Sequence, residues 1–111
     1  MKYSIFATRV ARSDILSAHL YISVSLCNPK AADDLTSQLN ETAHSLSEFP
    51  ERNSLVNDAV LSSWGIRAVK VKNYTLFYVI DHKEQKIYVV RFLYSKRNWA
   101  SILASAGKPV K

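Results

Sequence analysis

Five consecutive residues near the end of the chain, Tyr94-Ser95-Lys96-Arg97-Asn98, place two cations, a phenol and a hydroxyl on one short turn. Such a set binds phosphate or stabilises charge developing in a transition state. The plainer alternative is a solvated turn whose Asn98 caps the helix that follows. Upstream, Arg67, Lys70 and Arg91 fall inside strand-like runs. Simple alternation along Ile87 to Tyr94 puts Ile87, Val89, Arg91 and Leu93 on one face and Tyr88, Val90, Phe92 and Tyr94 on the other. A guanidinium among apolar side chains must be paired or reach a cleft rim. Arg91 is therefore either ion-paired with Asp81, Glu48 or another acid, or part of a cationic site on an open sheet face. Arg67 poses the same choice.

These residues sit in a strongly asymmetric chain. Residues 66–111 carry ten basic side chains against Asp81 and Glu84, a net of +8, whereas residues 1–65 carry a net of −2. One basic face of one domain attracts polyanions, either nucleic acid or an acidic protein. Other chemistries find no support. His19, His44 and His82 are far apart, and no Cys–His spacing matches a zinc site. With only two glycines there is no phosphate-cradling loop. His19 reads as a packed core residue, His44 as solvated and His82 as decoration on a hairpin loop. The lone Cys27 excludes an internal disulfide framework. No apolar run is long enough to span a bilayer and the start lacks a signal-peptide core, so the expectation is a cytoplasmic protein with no metal, cofactor or membrane partner.

The elements that must position the cations are legible from periodicity. A chain of 111 residues is most simply one domain, 1–111, with 105–111 as a flexible tail. Lys2 to Ala7 reads as a short strand. Ser13 is a candidate N-cap, with Asp14 in the first turn of a helix whose apolar face is Ile15, His19, Ile22 and Leu26. Asn28 caps a second helix with Pro29 at its first position, and Ala32, Leu35, Leu39, Ala43 and Leu46 form its stripe. Phe49-Pro50 ends it. The short connection implies an antiparallel helix hairpin. Residues 51–65 read as a loop with one helical turn around Asp58 to Ser62. Three strands follow, Ile66–Val71, Tyr74–Ile80 and Ile87–Tyr94, and a last helix runs from Asn98 through Trp99, Ile102 and Leu103. The order βααβββα is an α+β domain: an N-terminal strand, then a helix hairpin packed on a three- to four-stranded antiparallel sheet, then a short C-terminal helix, with the helices segregated to one face.

The segment Arg67…Tyr74-x-x-Phe77-Tyr78, followed by Ile87-Tyr88-Val89-Val90-Arg91-Phe92-Leu93-Tyr94-Ser95-Lys96-Arg97-Asn98-Trp99, resembles the RelE/ParE toxin superfamily, which reads R…NY-x-(I/V)-(F/Y)-Y and then VxRVLH-x-RRDW. Asn28-Pro29-Lys30-Ala31-Ala32 and Ser45-Leu46-Ser47-Glu48-Phe49-Pro50-Glu51 open and close the second helix as in ParE-like members, and the similarity spans residues 2 to about 104. The resemblance implies a plasmid-stabilising toxin of a type II toxin–antitoxin module, held as a hetero-oligomer by a cognate antitoxin. It implies one of two targets, DNA gyrase for ParE-like members or the ribosome with its mRNA for RelE-like endoribonucleases. A third possibility is a non-toxic domain that keeps only antitoxin binding. For a ribonuclease, the resemblance points to Arg67, Lys70, Tyr94 and Arg97 as the catalytic set. For a docking protein it points to Arg91, Lys96, Arg97 and Trp99 as the target- or antitoxin-binding set. Two departures favour the ParE-like reading. Thr75 stands after Tyr74 where several nucleases carry arginine, and Trp99 stands near the place of a C-terminal catalytic tyrosine.

Overall fold

The computed structural model describes residues 2–109. Strand β1, Ser4–Ala7, runs almost directly into helix α1, Arg9–Leu20. Thr8 joins the two: its N–H donates to Val89 O at 3.0 Å, and its hydroxyl caps α1 by accepting from Ala11 N. The helix is thus capped five residues before the expected cap at Ser13, and Asp14 lies in its second turn rather than its first. Helix α1 then widens into one turn of π-helix, Tyr21–Ser25, closed by a bond from Leu26 N–H to Tyr21 O of 2.9 Å. Cys27 takes a left-handed conformation, and Asn28 caps α2, Pro29–Glu48, as its sequence predicts. Helix α2 ends at Phe49, where the backbone enters a single 3₁₀ turn at Pro50–Arg52. The helical turn expected near Asp58 is α3, Ala59–Ser63, capped by the Asp58 carboxylate.

Strands β2, Arg67–Val71, β3, Tyr74–Asp81, and β4, Lys86–Tyr94, form the expected antiparallel meander, with left-handed Lys72 and Gln85 at its two turns. Strand β1 adds beside β4 in the parallel sense, Ser4 opposite Lys86 and Ala7 opposite Val89, so the four-stranded sheet is mixed, in the order β1-β4-β3-β2. Helix α4, Trp99–Ala106, follows the Asn98 cap and stops at left-handed Gly107. The expected tail thus begins inside a helix at Ser105 and Ala106; Val110 and Lys111 lie outside the described residues.

The helices are not segregated to one face. Helices α1 and α2 bury Ala11, Ala18, Leu35 and Leu46 against Val71, Leu76, Tyr78, Ile87, Val89 and Phe92. On the other face α3, α4 and the preceding loop bury Leu61, Val56 and Leu103 against Phe77, Val79 and Leu93. Central strand β3 is thereby covered on both sides, which its near-continuous apolar run Leu76–Ile80 requires.

Candidate functional site

Strand β4 does not alternate throughout. Tyr78 faces Val89 while Phe77 faces Arg91, so Val90 is an extra residue and β4 carries a bulge. Ahead of it, Ile87 and Val89 point to the helix hairpin. Past it, Phe92 does so and Leu93 joins the opposite cluster, the reverse of simple alternation. The bulge lies just beyond the end of β1, where β4 becomes an edge. Helix α1 takes over there with one side chain. Asp14 accepts from Arg91 Nε at 2.7 Å, from an Arg91 terminal nitrogen at 3.1 Å and from Phe92 N–H at 3.0 Å. Both side chains are about four-fifths shielded from solvent. Arg91 is thus the ion-paired residue of the two alternatives, and its partner is an acid that the sequence reading assigned to a helix N-terminus. The missed signal is the spacing Ala11, Asp14, Ala18, which puts Asp14 on the buried face once α1 starts at Arg9.

Beyond the bulge, β4 delivers Tyr94 to the turn Ser95–Asn98. The turn is pinned by Ser95 N–H to Asn73 O at 2.9 Å, by the hydroxyls of Thr75 and Ser95 at 2.8 Å, and by Arg97 N–H to Tyr94 O at 3.0 Å. The backbone is fixed, but the Arg97 side chain has no partner among the described residues. It stands at the rim of an open cavity of about 640 Å³ between the end of α1 and the end of the sheet. Tyr74 stacks on Phe92 at 5.1 Å and meets Tyr94 edge-on at 5.7 Å, while Tyr21, Ile22 and Leu26 of the π turn and its flank form the opposite wall. The Tyr74 phenol titrates above its usual range, chiefly because burial disfavours the phenolate and then because negative charge on Tyr21 or Tyr94 would repel it. A smaller cavity shares Ile22, Asn73 and Tyr74 and continues the groove to Lys72 and Asp34.

The other predicted residues lie elsewhere. Arg67 donates to Asn53 O at 2.7 Å and sits 3.9 Å from Glu51. Lys70 is exposed and lines a shallow cavity of about 240 Å³ with Thr75, Phe77 and Trp99. Trp99 packs on Phe77 with ring centroids 5.5 Å apart. Lys96 is exposed on the turn. Register shows that the proposed catalytic set does not converge. Arg67 is opposite Tyr78 and Lys70 opposite Thr75, so three residues apart on β2 they point to opposite faces. Tyr94 lies opposite Tyr74, and Tyr74 opposite Val71, so Tyr94 is level with one end of β2 and Arg67 is at the other, four residues along the sheet. Only Tyr94 and Arg97 share a site. Of the predicted histidines, His19 is only half-buried, 3.6 Å from Asp33, while His44 and His82 are exposed. Among the described residues there is no His, Cys, Asp and Glu cluster able to hold a metal ion, and no helix long and apolar enough to cross a membrane.

Residues 5–99 match the family model of the ParE toxin of the type II toxin–antitoxin system parDE. The chain belongs to this family. The fold agrees at low sequence identity. A toxin–antitoxin complex RelBE2 from Mycobacterium tuberculosis superposes with a TM-score of 0.62 at 18% identity, over 85% of this chain and 99% of that one. A chromosomal ParDE system from P. aeruginosa gives 0.67 at 16%, over 86% and 98%. A YoeB/ParE toxin from Agrobacterium tumefaciens gives 0.58 at 9%, over 82% and 96%. No curated protein matches the chain in sequence. In this ParE-family toxin Arg97 and the phenols of Tyr21, Tyr74 and Tyr94, which have no hydrogen-bond partners among the described residues, line the open groove together.

Proposed function

We propose that the chain is a cytoplasmic growth inhibitor that acts on DNA gyrase and is neutralised by a cognate antitoxin in a hetero-oligomeric complex. The observation that carries the target is the dispersal of the nuclease candidates. Cleavage at a ribose 2′-OH needs a base, a cation for the phosphate and an acid for the leaving oxygen within one substrate's reach. Arg67 and Lys70 point to opposite faces, and Arg67 is tied to a backbone carbonyl. The family match supports the same reading. Docking on a protein target requires instead a few anchors on a stable surface. Arg97 and Lys96 on the pinned turn, with Trp99 at the head of α4, provide a cationic rim beside an aromatic ring. Arg91 acts from inside, holding the turn's supporting strand to α1.

The test is direct. Purified chain should inhibit gyrase supercoiling, and Arg97→Ala should weaken inhibition by about tenfold or more, as expected for a hot spot. Ribosome-dependent cleavage of a reporter mRNA, reduced by about 10²–10³-fold in Arg97→Ala, would establish the nuclease instead. Antitoxin association should slow as salt rises, because rim charges act chiefly on encounter. An association rate indifferent to salt would remove the electrostatic part.

A further inference from the structure

The cations displayed on the turn Ser95–Asn98 continue onto the turn beside it. Strand β2 ends level with β4, Val71 opposite Tyr74 and Tyr74 opposite Tyr94, so the turns that follow the two strands are neighbours. Ser95 N–H donates to Asn73 O at 2.9 Å and ties them together. Lys72 stands on the first turn, Lys96 and Arg97 on the second. Lys70 joins them from β2, because its register partner Thr75 carries the hydroxyl that meets Ser95 at 2.8 Å. All four side chains are exposed, and none has a hydrogen bond or an ion pair among the described residues. Carboxylates of the flanking helices are engaged: Asp14 holds Arg91, Asp34 lies 3.4 Å from Lys30, Asp33 lies 3.6 Å from His19, and Asp58 caps α3. Asp81 and Glu84, the only acids of residues 66–111, sit at the other end of eight-residue β3. That is about 23 Å away, roughly three Debye lengths at physiological salt.

We propose that these four cations hold the phosphate backbone of duplex DNA, so that the chain, docked on gyrase, also touches the DNA that the enzyme carries. The proposal rests on the gyrase reading and adds a second contact to it. Cations with no acid among them fit a regular polyanion, and phosphate contacts seat a protein on a duplex without reading its sequence. The exposed residues of the two turns, Lys72, Asn73, Lys96, Arg97 and Asn98, are all polar. They offer no apolar anchor of the kind that concentrates the binding energy of a protein partner; Trp99, the anchor proposed for gyrase, belongs to α4. Single strands bind by stacking their unpaired bases on aromatic rings. Here Tyr74 is stacked on Phe92 and Trp99 is packed on Phe77, so the rings nearest the turns are already engaged. The bonds between the turns hold the backbones under the four charges as one array, which lowers the ordering cost of meeting successive phosphates.

The purified full chain should be titrated by fluorescence anisotropy into labelled duplexes of about 20 base pairs, two helical turns, in two unrelated sequences, between about 50 and 200 mM salt. Four phosphate contacts set the slope of log affinity against log salt at about −3.6, a loss of about 10²-fold across that range, equal for both sequences. Lys70→Gln and Lys72→Gln should each flatten the slope by about 0.9, and the double variant by about twice that. Lys83→Gln, on the hairpin at the far end of the sheet, should leave it unchanged. Unchanged thermal melts of these surface variants would show that folding is intact. A slope shallower than about −1 overturns the proposal, as does a slope that neither Lys70→Gln nor Lys72→Gln moves. An equal effect of Lys83→Gln also overturns it, because the attraction would then belong to the whole basic chain. So does tighter binding of a deoxythymidine oligonucleotide of the same length, which would put a single strand on the turns. Gyrase is absent from this experiment, and neither Lys70 nor Lys72 belongs to its docking set. A chain that inhibits gyrase without binding the duplex loses the DNA contact alone, and one that binds the duplex but spares gyrase loses the target alone.

Discussion

Tyr74 and Tyr78 lie four residues apart on one strand, point to the same face, and have opposite fates. At the base of the helix hairpin the Tyr78 phenol is buried, donates to Pro50 O at 2.7 Å and accepts from the Asn53 amide at 3.3 Å. Around it Arg67 holds Asn53 O, and Ser47 holds Tyr3 O at 2.8 Å. At the tip the Tyr74 phenol faces a groove, beside a widened turn of helix and the Arg97 guanidinium, and neither has a hydrogen-bond partner among the described residues. Both phenols titrate high because burial penalises the phenolate, but near Tyr78 the Asn53 bond and the Arg67 and Arg52 charges work against that rise. The base is where polar groups are satisfied within the chain and the tip is where they are left for something else. Internal hydrogen bonding is concentrated at one end and open polar groups at the other.

The sharpest way to break this contrast is at the core residues of each end. Leu46→Ala, at 1% exposure near the base, should cost about 2–5 kcal/mol in denaturant unfolding, against less than about 0.5 kcal/mol for Leu26→Ala at the tip. Equal losses would mean that the tip is packed and not open. Next comes the joint between the two ends. Asp14→Ala strands the Arg91 guanidinium and the Phe92 N–H together and should cost about 3 kcal/mol. The change should also loosen the turn that carries Arg97, read as faster amide exchange at Ser95 and Arg97. A loss below about 1 kcal/mol would show that solvent replaces the carboxylate. The tyrosine pair gives a smaller split. Tyr78→Phe leaves Pro50 O and Asn53 without their partner and should cost about 1–3 kcal/mol, while Tyr74→Phe should lie within about 0.5 kcal/mol of wild type.

The smallest effect is alkaline. A phenol whose folded pKa is raised above 10.0 contributes stability that is whole below pH 10.0 and is lost as the pH climbs through the folded value. Unfolding free energy should therefore decline above pH 10.0, and Tyr74→Phe should decline less steeply than wild type. Parallel curves would exclude Tyr74 as a contributor.

The local signals were legible in the sequence and the long-range ones were not. Asn28-Pro29, the stripe Ala32, Leu35 and Leu46, and the Asn98 cap are local signals, each decided by a few neighbouring residues. The meander followed from turn residues and β-rich runs. The bulge at Val90 left no such mark, because an extra residue in an apolar strand changes no residue type, yet it reversed the faces of Phe92 and Leu93. Capping α1 at Ser13 rather than Thr8 moved Asp14 from the buried helix face into a first turn and concealed the partner of Arg91. The covering of the second sheet face was missed for a related reason: nothing in α3 or α4 declares which side of the sheet it will take. The site followed the same pattern. Tyr94 and Arg97 were found as neighbours in sequence, whereas Tyr21, more than fifty residues away from Tyr74 along the chain, joined them only through the fold.

The parallel pairing of β1 with β4 fixes the order in which the molecule can be built. Ser4 must wait for Lys86, so the first strand leaves the ribosome long before its only sheet neighbour exists. At about 5–20 residues per second that delay is of the order of 4–16 s. The hairpin of α1 and α2 has local contacts and can fold in the interval, with the inner faces of Ala18, Leu35 and Leu46 still uncovered. During synthesis, then, the helices are present while the turn bearing Arg97 is not. For those seconds the inner faces of the two helices have no sheet to pack against, and the turn bearing Arg97 has not yet been made.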